Sequence, residues 1–381
     1  SYSDLKSCKR KDLLEMYDEG VKYLNWTPDK FIDMWKSTSK FLNLAIEKLE
    51  DTDTGFGLPN ANELPYEPML PVLTSLIQQT SEEFENEHEC DKKIRRWYWT
   101  SVFGQRYSQG VEGTKSSDYK LMVQWFKDEA SIPKFITDFE NRYQTKISFE
   151  DITTKNSAVY RGVMCLIKKK GATDPRIVYD QTKKEHMDHI FPQSKMKKYE
   201  DLRNSILNMT WLTSITNITK SAKMPKEYYS KIRKDKFDDD DSKLRKVLSS
   251  HLINDEAYDY LLKNEFEEFL EERRKEILKT IADEIGVEYK DDEVDIPTQI
   301  SRETPASNRA ALMWSYEKCE KEFILNSLYL SNGDLKLILA SAPELKVKKI
   351  RLLTSVKVYN KTLKEFFIKV RDEMEDLLHI K

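Results

Sequence analysis

Glycine accounts for only 10 of the 381 residues of this chain, whereas the good helix formers lysine, glutamate and leucine are abundant. This composition favours a mainly helical fold. It also leaves no glycine-rich loop of either spacing common in nucleotide-binding proteins. With 39% apolar and 34% charged residues, the chain can form a sizeable core, and its length suits two or three domains.

Apolar residues recur with a helical period along residues 1–148, which predicts a helical N-terminal domain. Its most aromatic stretch, residues 93–107, interleaves Trp97, Tyr98 and Trp99 with arginines. Such a stretch is either a DNA-binding surface or a helix core with arginine stems packed over it. We favour the core, because Trp and Tyr are on average largely buried.

The sequence pattern changes after residue 148. We expect a second domain over 149–287, an acidic and irregular linker over 288–305, and a small α/β unit over 306–381 whose completeness the sequence leaves open. Within that unit the pattern predicts two helices and two strands, at 309–328, 359–378, 335–339 and 349–353.

The four cysteines lie far apart and form no C-x-x-C pair, which argues against a cysteine-rich zinc site and indicates a reducing, cytoplasmic setting. No run of 18 apolar residues is present, so no membrane-spanning helix is expected. The polar start at Ser1 resembles neither a signal peptide nor a natural initiation site, and we expect the chain to be a fragment of a longer protein.

The segment HMDHIFPQS at 186–194 carries the residues best suited to chemistry, and Asn208, Asn217 and Lys220 follow it closely. Hydrolysis of a phosphodiester needs a base that deprotonates water and a metal that neutralises charge on the leaving oxygen. Histidine has a pKa suited to that base at neutral pH, and Asp and Asn oxygens suit Mg²⁺. The segment is therefore a candidate hydrolytic site.

If the residues before Pro192 form a strand, Asp188 and His189 point to opposite sides of it. One of them then holds a metal ion while the other faces the water. His186 lies on the same side as Asp188 and is an auxiliary candidate. An isolated Asp-His pair is usually structural, but its combination with two asparagines and a lysine favours a nuclease site.

This combination resembles the HNH (ββα-metal) nuclease motif. It is especially similar to the HNH domain of the RNA-guided CRISPR endonucleases and to the C-terminal domain of the GmrSD-like modification-dependent restriction enzymes. The resemblance implies that His189 is the general base and that Asp188 and Asn217 are ligands of Mg²⁺ (or Mn²⁺). It also implies that Asn208 braces the loop and the base, and that Lys220 approaches the phosphate.

The resemblance covers roughly residues 1–286 and implies a mainly α fold, in which the helical domain precedes a ββα-metal nuclease domain embedded in helices. It implies a DNA substrate, duplex and either modified or plain. It further implies a nucleotide-dependent sensor domain that precedes this region in the family and is missing from this chain. The chain departs from the family at Leu207, where the family usually has Gly before the middle Asn.

Two other functions remain open at this point. One is a helical DNA-binding or assembly module whose HNH element is not catalytic, and the other is a nuclease that cleaves RNA. The presence of Asp, His, Asn and Lys together argues against the first, because a site that has lost its catalytic activity does not need all four.

The charge of the chain is distributed unevenly. Its formal net charge is −3, which taken alone speaks against a nucleic-acid binder. Residues 161–236, however, hold 18 Lys and Arg against 8 Asp and Glu, a net of +10, so the rest of the chain sums to −13. The basic segment predicts a local phosphate-binding face, and its candidate DNA-binding residues are Lys195, Lys197, Lys198 and Lys223.

Overall fold

A computed structural model describes residues 17–18, 20–23, 25–60, 63–176, 185–200 and 202–290, and the backbone of 322–326, 349–353 and 378–380; the side chains of 145 and 146 are not described. The helices are α1 (Pro28–Glu50), α2 (Met69–Glu83), α3 (Glu87–Phe103), α4 (Val111–Lys127), α5 (Lys134–Glu140), α6 (Tyr143–Lys146), α7 (Ala158–Lys169), α8 (Ser214–Lys220), α9 (Pro225–Phe237), α10 (Asp241–Ser249), α11 (Asp255–Lys263) and α12 (Phe266–Ile285). The strands are β1 (Glu185–His189), β2 (Met209–Thr213), β3 (Glu322–Asn326), β4 (Lys349–Leu353) and β5 (Leu378–Ile380). The predicted mainly α fold is confirmed.

Helix α3 lies at the centre of the helical region and packs against α2, α4, α5, α7 and α12. Trp97, Tyr98 and Trp99 are fully buried in it. Arg96 lies at its surface and donates two hydrogen bonds of 2.9 and 3.0 Å to the Glu140 carboxylate. The aromatic stretch is therefore a helix core with paired arginines, as predicted, and not a DNA-binding surface.

The buried carboxylate of Asp118 holds this region together. It accepts hydrogen bonds from the indole N–H of Trp97 at 2.9 Å, the hydroxyl of Tyr107 at 2.8 Å and the guanidinium of Arg106 at 2.8 Å. A buried charge is tolerated only when it is paired and hydrogen-bonded, and Asp118 meets both conditions. Through these hydrogen bonds the carboxylate joins α4 to α3 and to the turn that follows α3.

Helix α12 connects this helical layer to the later part of the chain. Its Glu284 accepts hydrogen bonds from the guanidinium of Arg95 at 3.1 Å and from the indole N–H of Trp99 at 2.8 Å. The described residues up to 290 accordingly belong to one compact unit, and strands β3 to β5 belong to a second. Within the described residues no helix is long and apolar enough to cross a membrane.

Strands β1 and β2 pair antiparallel, with Glu185 opposite Thr213 and His189 opposite Met209. In the second unit, β3, β4 and β5 form a parallel sheet in that order. The strand predicted at 349–353 is confirmed by β4. The helix predicted at 309–328 is wrong at 322–326, which forms β3, because a short apolar run cannot be assigned to a helix or a strand by periodicity alone.

The other predictions for the tail fall mostly on residues that the structure does not describe. The strand predicted at 335–339 and nearly all of the helix predicted at 359–378 lie outside the described residues. Residue 378, the last of that predicted helix, is the first residue of β5. Of the predicted linker at 288–305, only residues 288–290 are described, and they are irregular.

We predict that Asp118→Ala lowers the free energy of unfolding by about 3 kcal/mol, because it leaves the buried donors of Trp97 and Tyr107 and the charge of Arg106 without an acceptor. Urea unfolding followed by tryptophan fluorescence measures the change. The matched control is Asp138→Ala, an exposed carboxylate on α5, which should shift the free energy by less than about 0.5 kcal/mol. Equal shifts for both variants would contradict the assignment.

Candidate functional site

A two-stranded sheet followed by a short helix forms the frame of the site. All five residues of β2 are buried, and the indole N–H of Trp211 donates to the carbonyl of Met164 on α7 at 2.9 Å. Strand β1 lies outside β2 and is only partly buried. Helix α8 follows β2 directly and packs against both strands. The order of the elements is therefore β, β, α.

Asp174 fixes the start of α8. Its buried carboxylate accepts from the backbone N–H of Thr213 at 2.7 Å and from the hydroxyl of Thr216 at 2.8 Å. The Thr213 hydroxyl in turn caps the helix by accepting from the N–H of Thr216. This arrangement holds the first turn of α8 against the end of β2, and it sets where Asn217 and Lys220 lie.

Lys220 is buried against β1. Its ammonium group donates to the carboxylate of Asp188 and to the backbone carbonyl of His189. Burial lowers the pKa of Lys220, and the neighbouring Asp188 carboxylate opposes that shift. The sequence resemblance places Lys220 near a phosphate, whereas here its partner is the carboxylate expected to hold a metal.

His189 is half-buried, and its ring Nε2 lies 3.1 Å from the side-chain oxygen of Asn204. The same oxygen accepts from the amide of Gln193 at 3.0 Å. Because an amide oxygen only accepts, Nε2 carries the proton in this arrangement and Nδ1 is left with a free lone pair. Burial lowers the pKa of His189, against the raising influence of Asn204 and Asp188. The lowered pKa favours the neutral form of the ring at pH 7.

Asn208 is fully buried, and its side chain hydrogen-bonds to described residues other than His189. Its side-chain oxygen accepts from the N–H of Phe191 at 2.8 Å, and its amide donates to the carbonyls of Phe191 and Arg203 at 3.0 and 2.9 Å. The backbone carbonyl of Asn208 also accepts from the N–H of Ile190. Asn208 thus ties the loop after β1 to the start of β2, while Asn204 holds the imidazole.

Asn217 and Asp188 are the candidate metal ligands. Asn217 is exposed on α8, and its side chain makes no hydrogen bond with the described residues. Within the described residues no group of three or more His, Cys, Asp or Glu is placed to hold a metal. One carboxylate and one amide oxygen nevertheless fit Mg²⁺, which usually keeps several waters and takes further oxygens from phosphates. His186 lies on the same face of β1 as Asp188 and is exposed.

The four candidate DNA-binding lysines lie in two places. Lys195, Lys197 and Lys198 are exposed in the segment between β1 and β2, just beyond His189. Lys223 follows α8, is half-buried, and donates to the carbonyl of Thr219 at 3.4 Å. The loop lysines and Lys223 therefore belong to different elements of the site.

His251 and Arg273 support the frame from beneath and were missed by sequence reasoning. His251 is fully buried, with Nε2 donating to the carbonyl of Thr173 at 2.8 Å and Nδ1 lying 2.6 Å from the hydroxyl of Thr210 on β2. Arg273 is fully buried and donates to the carbonyls of Leu207 at 2.5 Å and His251 at 3.1 Å. Asn204 was missed as well. None of these residues belongs to a local spacing pattern, so no sequence signal singled them out.

Part of this chain is similar to a known protein family. Residues 137–280 match the model of the GmrSD restriction endonucleases, C-terminal domain. The chain is also 27% identical over 306 residues to "Uncharacterized protein MJ0686" of Methanocaldococcus jannaschii, and the match takes in 74% of this chain. It spans about half the length of that relative, 50%.

The matched residues run from α5 into α12, so they include the ββα frame and its supporting helices. The family whose model is matched is one of restriction endonucleases.

We predict that the free energy of unfolding decreases as the pH is lowered, because His251 is harder to protonate in the folded state than in the unfolded state. Burial lowers the pKa of His251 from 6.5 to about 4. Above pH 6.5 the residue is neutral in both states, and as the pH falls from 6.5 towards 4 only the unfolded state takes up the proton, so stability is lost. Between pH 7.5 and pH 5 the loss is about 2 kcal/mol.

Urea unfolding at both pH values measures this loss. In His251→Gln, the difference in unfolding free energy between the two pH values should shrink by this amount. In His88→Gln, which changes an exposed histidine on α3, the difference should stay as in the parent. An unchanged pH dependence in His251→Gln would show that other groups are responsible.

Residues 137–280 of this chain thus match the C-terminal domain of the GmrSD restriction endonucleases, the family that its motif resembles.

Proposed function

We propose that this chain is a metal-dependent HNH endonuclease that hydrolyses phosphodiester bonds of DNA, as the nuclease part of a restriction or phage-defence enzyme acting in the cytoplasm. The observation that carries the proposal is the arrangement around β1, where an imidazole and a carboxylate occupy adjacent positions. Helix α8, which also carries Asn217, packs against this strand and brings Lys220 to Asp188. Since the chain spans about half of its relative, the substrate of the whole protein, modified or plain duplex DNA, belongs to the proposal.

His189 takes the proton from the attacking water. The Asn204 oxygen fixes the ring with Nε2 protonated, so Nδ1 is the basic atom. The lowered pKa keeps this nitrogen free at neutral pH. Asn208 holds the loop that carries Phe191, and thereby the end of β1 on which His189 lies. The imidazole is thus both neutral and oriented before substrate arrives.

Asp188 and Asn217 would hold Mg²⁺ or Mn²⁺, which supplies charge stabilisation for the leaving 3′ oxygen. Lys220 places a positive charge beside Asp188 and next to the backbone of His189. In the proposed role it stabilises the negative charge of the phosphate. The expected products, by family resemblance, carry 5′-phosphate and 3′-hydroxyl ends.

We predict that His189→Ala lowers the rate of DNA cleavage by about 10²- to 10⁴-fold, the range for loss of a general base. The assay is nicking of supercoiled plasmid and cutting of duplex DNA, plain and with modified cytosines, in Mg²⁺ or Mn²⁺. His88→Ala removes an exposed histidine on α3 and is the matched control. Cleavage by His189→Ala at the parent rate would exclude His189 as the base. Cleavage of single-stranded RNA with no DNA cut would favour the RNA alternative.

We further predict that Asn217→Ala raises the Mg²⁺ concentration needed for half-maximal cleavage by about tenfold or more, since even loss of an outer-shell partner has such an effect. Asp188→Asn should abolish cleavage at any Mg²⁺ concentration tested. The control is Asn254→Ala, which removes an asparagine that caps α11. A metal requirement that is identical in Asn217→Ala and in the parent would remove Asn217 from the ligand set.

A further inference from the structure

A basic cavity lies between α9, the end of α8 and Arg176. Its volume is about 160 Å³, which is comparable to the engineered cavities of about 150 Å³ that admit benzene. Four cations line it, together with one carboxylate, that of Asp235. The cations are Arg176, Lys223, Lys231 and Lys236. The lining therefore has a net charge of +3 and room for a small anion.

Two buried donors at this cavity lack an acceptor. Nη1 of Arg176 and the hydroxyl of Tyr228 are buried and have no hydrogen-bond partner among the described residues. Tyr228 is 4% exposed. Leaving a buried donor unsatisfied costs about 1–3 kcal/mol each, and an arginine can only donate. Both residues line the cavity, and an oxygen-rich acceptor there would satisfy these donors once the two side chains turn towards it.

The chain path places the cavity beside the candidate site. Helix α8 ends at Lys220, and Ser221, with a φ of +50°, turns the chain before Pro225 begins α9. Thr219, the neighbour of Lys220, lines the cavity. Burial raises the pKa of Tyr228, and the charges of Arg176 and Asp188 lie near enough to contribute in opposite directions. A polyanion that reaches Lys220 therefore passes close to the cavity.

We propose that this cavity binds a phosphate group of the nucleic-acid backbone, next to the phosphodiester that is cleaved. The inference rests on the proposed function, because it takes the substrate to be a nucleic acid. A phosphate offers several charged acceptor oxygens, and Arg and Lys pair well with it. Arg176 and Tyr228 donate to these oxygens from the inside of the cavity, and Lys223, Lys231 and Lys236 surround them. The cavity thereby sets the register of the strand on the site.

The decisive variant is Tyr228→Phe, which removes the hydroxyl and keeps the ring. Since the hydroxyl has no partner, the variant should be at least as stable as the parent by thermal unfolding. Its affinity for a 20-base-pair duplex, measured by fluorescence anisotropy in the His189→Ala background, should fall about three- to tenfold. A lower melting temperature with unchanged DNA affinity would overturn the proposal, because the hydroxyl would then be structural.

The second arm tests the charges. Lys231→Gln with Lys236→Gln should lower duplex affinity by about tenfold at 0.1 M salt and reduce the slope of log affinity against log salt by 1 to 2. The matched control, Lys120→Gln with Lys127→Gln, removes two exposed lysines from α4. Equal losses in both pairs would overturn the proposal, because the effect would then be one of overall charge.

A third measurement separates the sources of phosphate. If the cavity variants lose binding of inorganic phosphate, followed by thermal shift, but keep the parent affinity for duplex, the site serves a free anion and the backbone assignment fails. Cleavage by the unmutated protein is scored independently. If the parent cuts DNA and the cavity variants bind DNA normally, only the proposed role of the cavity is rejected. If the parent neither binds nor cuts nucleic acid, the proposed function is rejected as well.

Discussion

The frame of the site depends on the hydrogen bonds that the buried guanidinium of Arg273 donates. It is fully buried, and burial lowers its pKa to about 9, which still leaves it charged at neutral pH. Within the described residues no carboxylate pairs with it, so backbone carbonyls of Leu207 and His251 take its hydrogen bonds. Its Nε is buried without a partner among those residues, so the charge depends on these two carbonyls, which must stay in place. The guanidinium therefore fixes the segment that carries Asn208 and β2.

From this point the constraints extend outward to the site. His251, whose carbonyl accepts from Arg273, contacts Thr210 on β2 through its ring. Asn208, next to Leu207, ties the loop after β1. Strand β1 is then held by its register with β2, and the register sets which sides of β1 carry Asp188 and His189. The residues proposed for chemistry are the outermost part of a buried polar network.

Features formed by residues close together in the chain could be predicted from the sequence. The Asp-His pair, the second asparagine and the lysine lie within 33 residues. A ββα unit is formed by consecutive elements, so its element order could be predicted from spacing and resemblance, whereas the roles of its residues stay predictions. The central aromatic stretch of α3 was likewise recognised as core. The helix assigned to 309–328 was wrong at β3, because Phe323, Ile324 and Leu325 suit either structure and parallel pairing with β4 decides between them.

The supporting residues could not be predicted, because their partners are distant in the chain. Arg273 lies 66 residues from Leu207, and His251 lies 78 residues from Thr173. No period or spacing relates such pairs. Asn204 is only 15 residues from His189, but it lies in a loop with several other polar side chains, and only the folded path of that loop selects it. The orientation of the proposed base therefore depends on tertiary structure that a single sequence does not reveal.

The distribution of charge explains how a chain with a net charge of −3 can present a phosphate-binding face. Several cations of the basic segment are already paired, Lys220 with Asp188 and Lys168 with Glu185. The loop lysines, such as Lys195 and Lys197, are exposed, so their positive charges remain available to attract an anion. At 0.1 M salt a field is screened over about 10 Å, so acidic side chains farther away contribute little at the site. The electrostatic potential at the proposed site is consequently set by the side chains near β1 and α8, and the net charge of the whole chain is a poor guide to it.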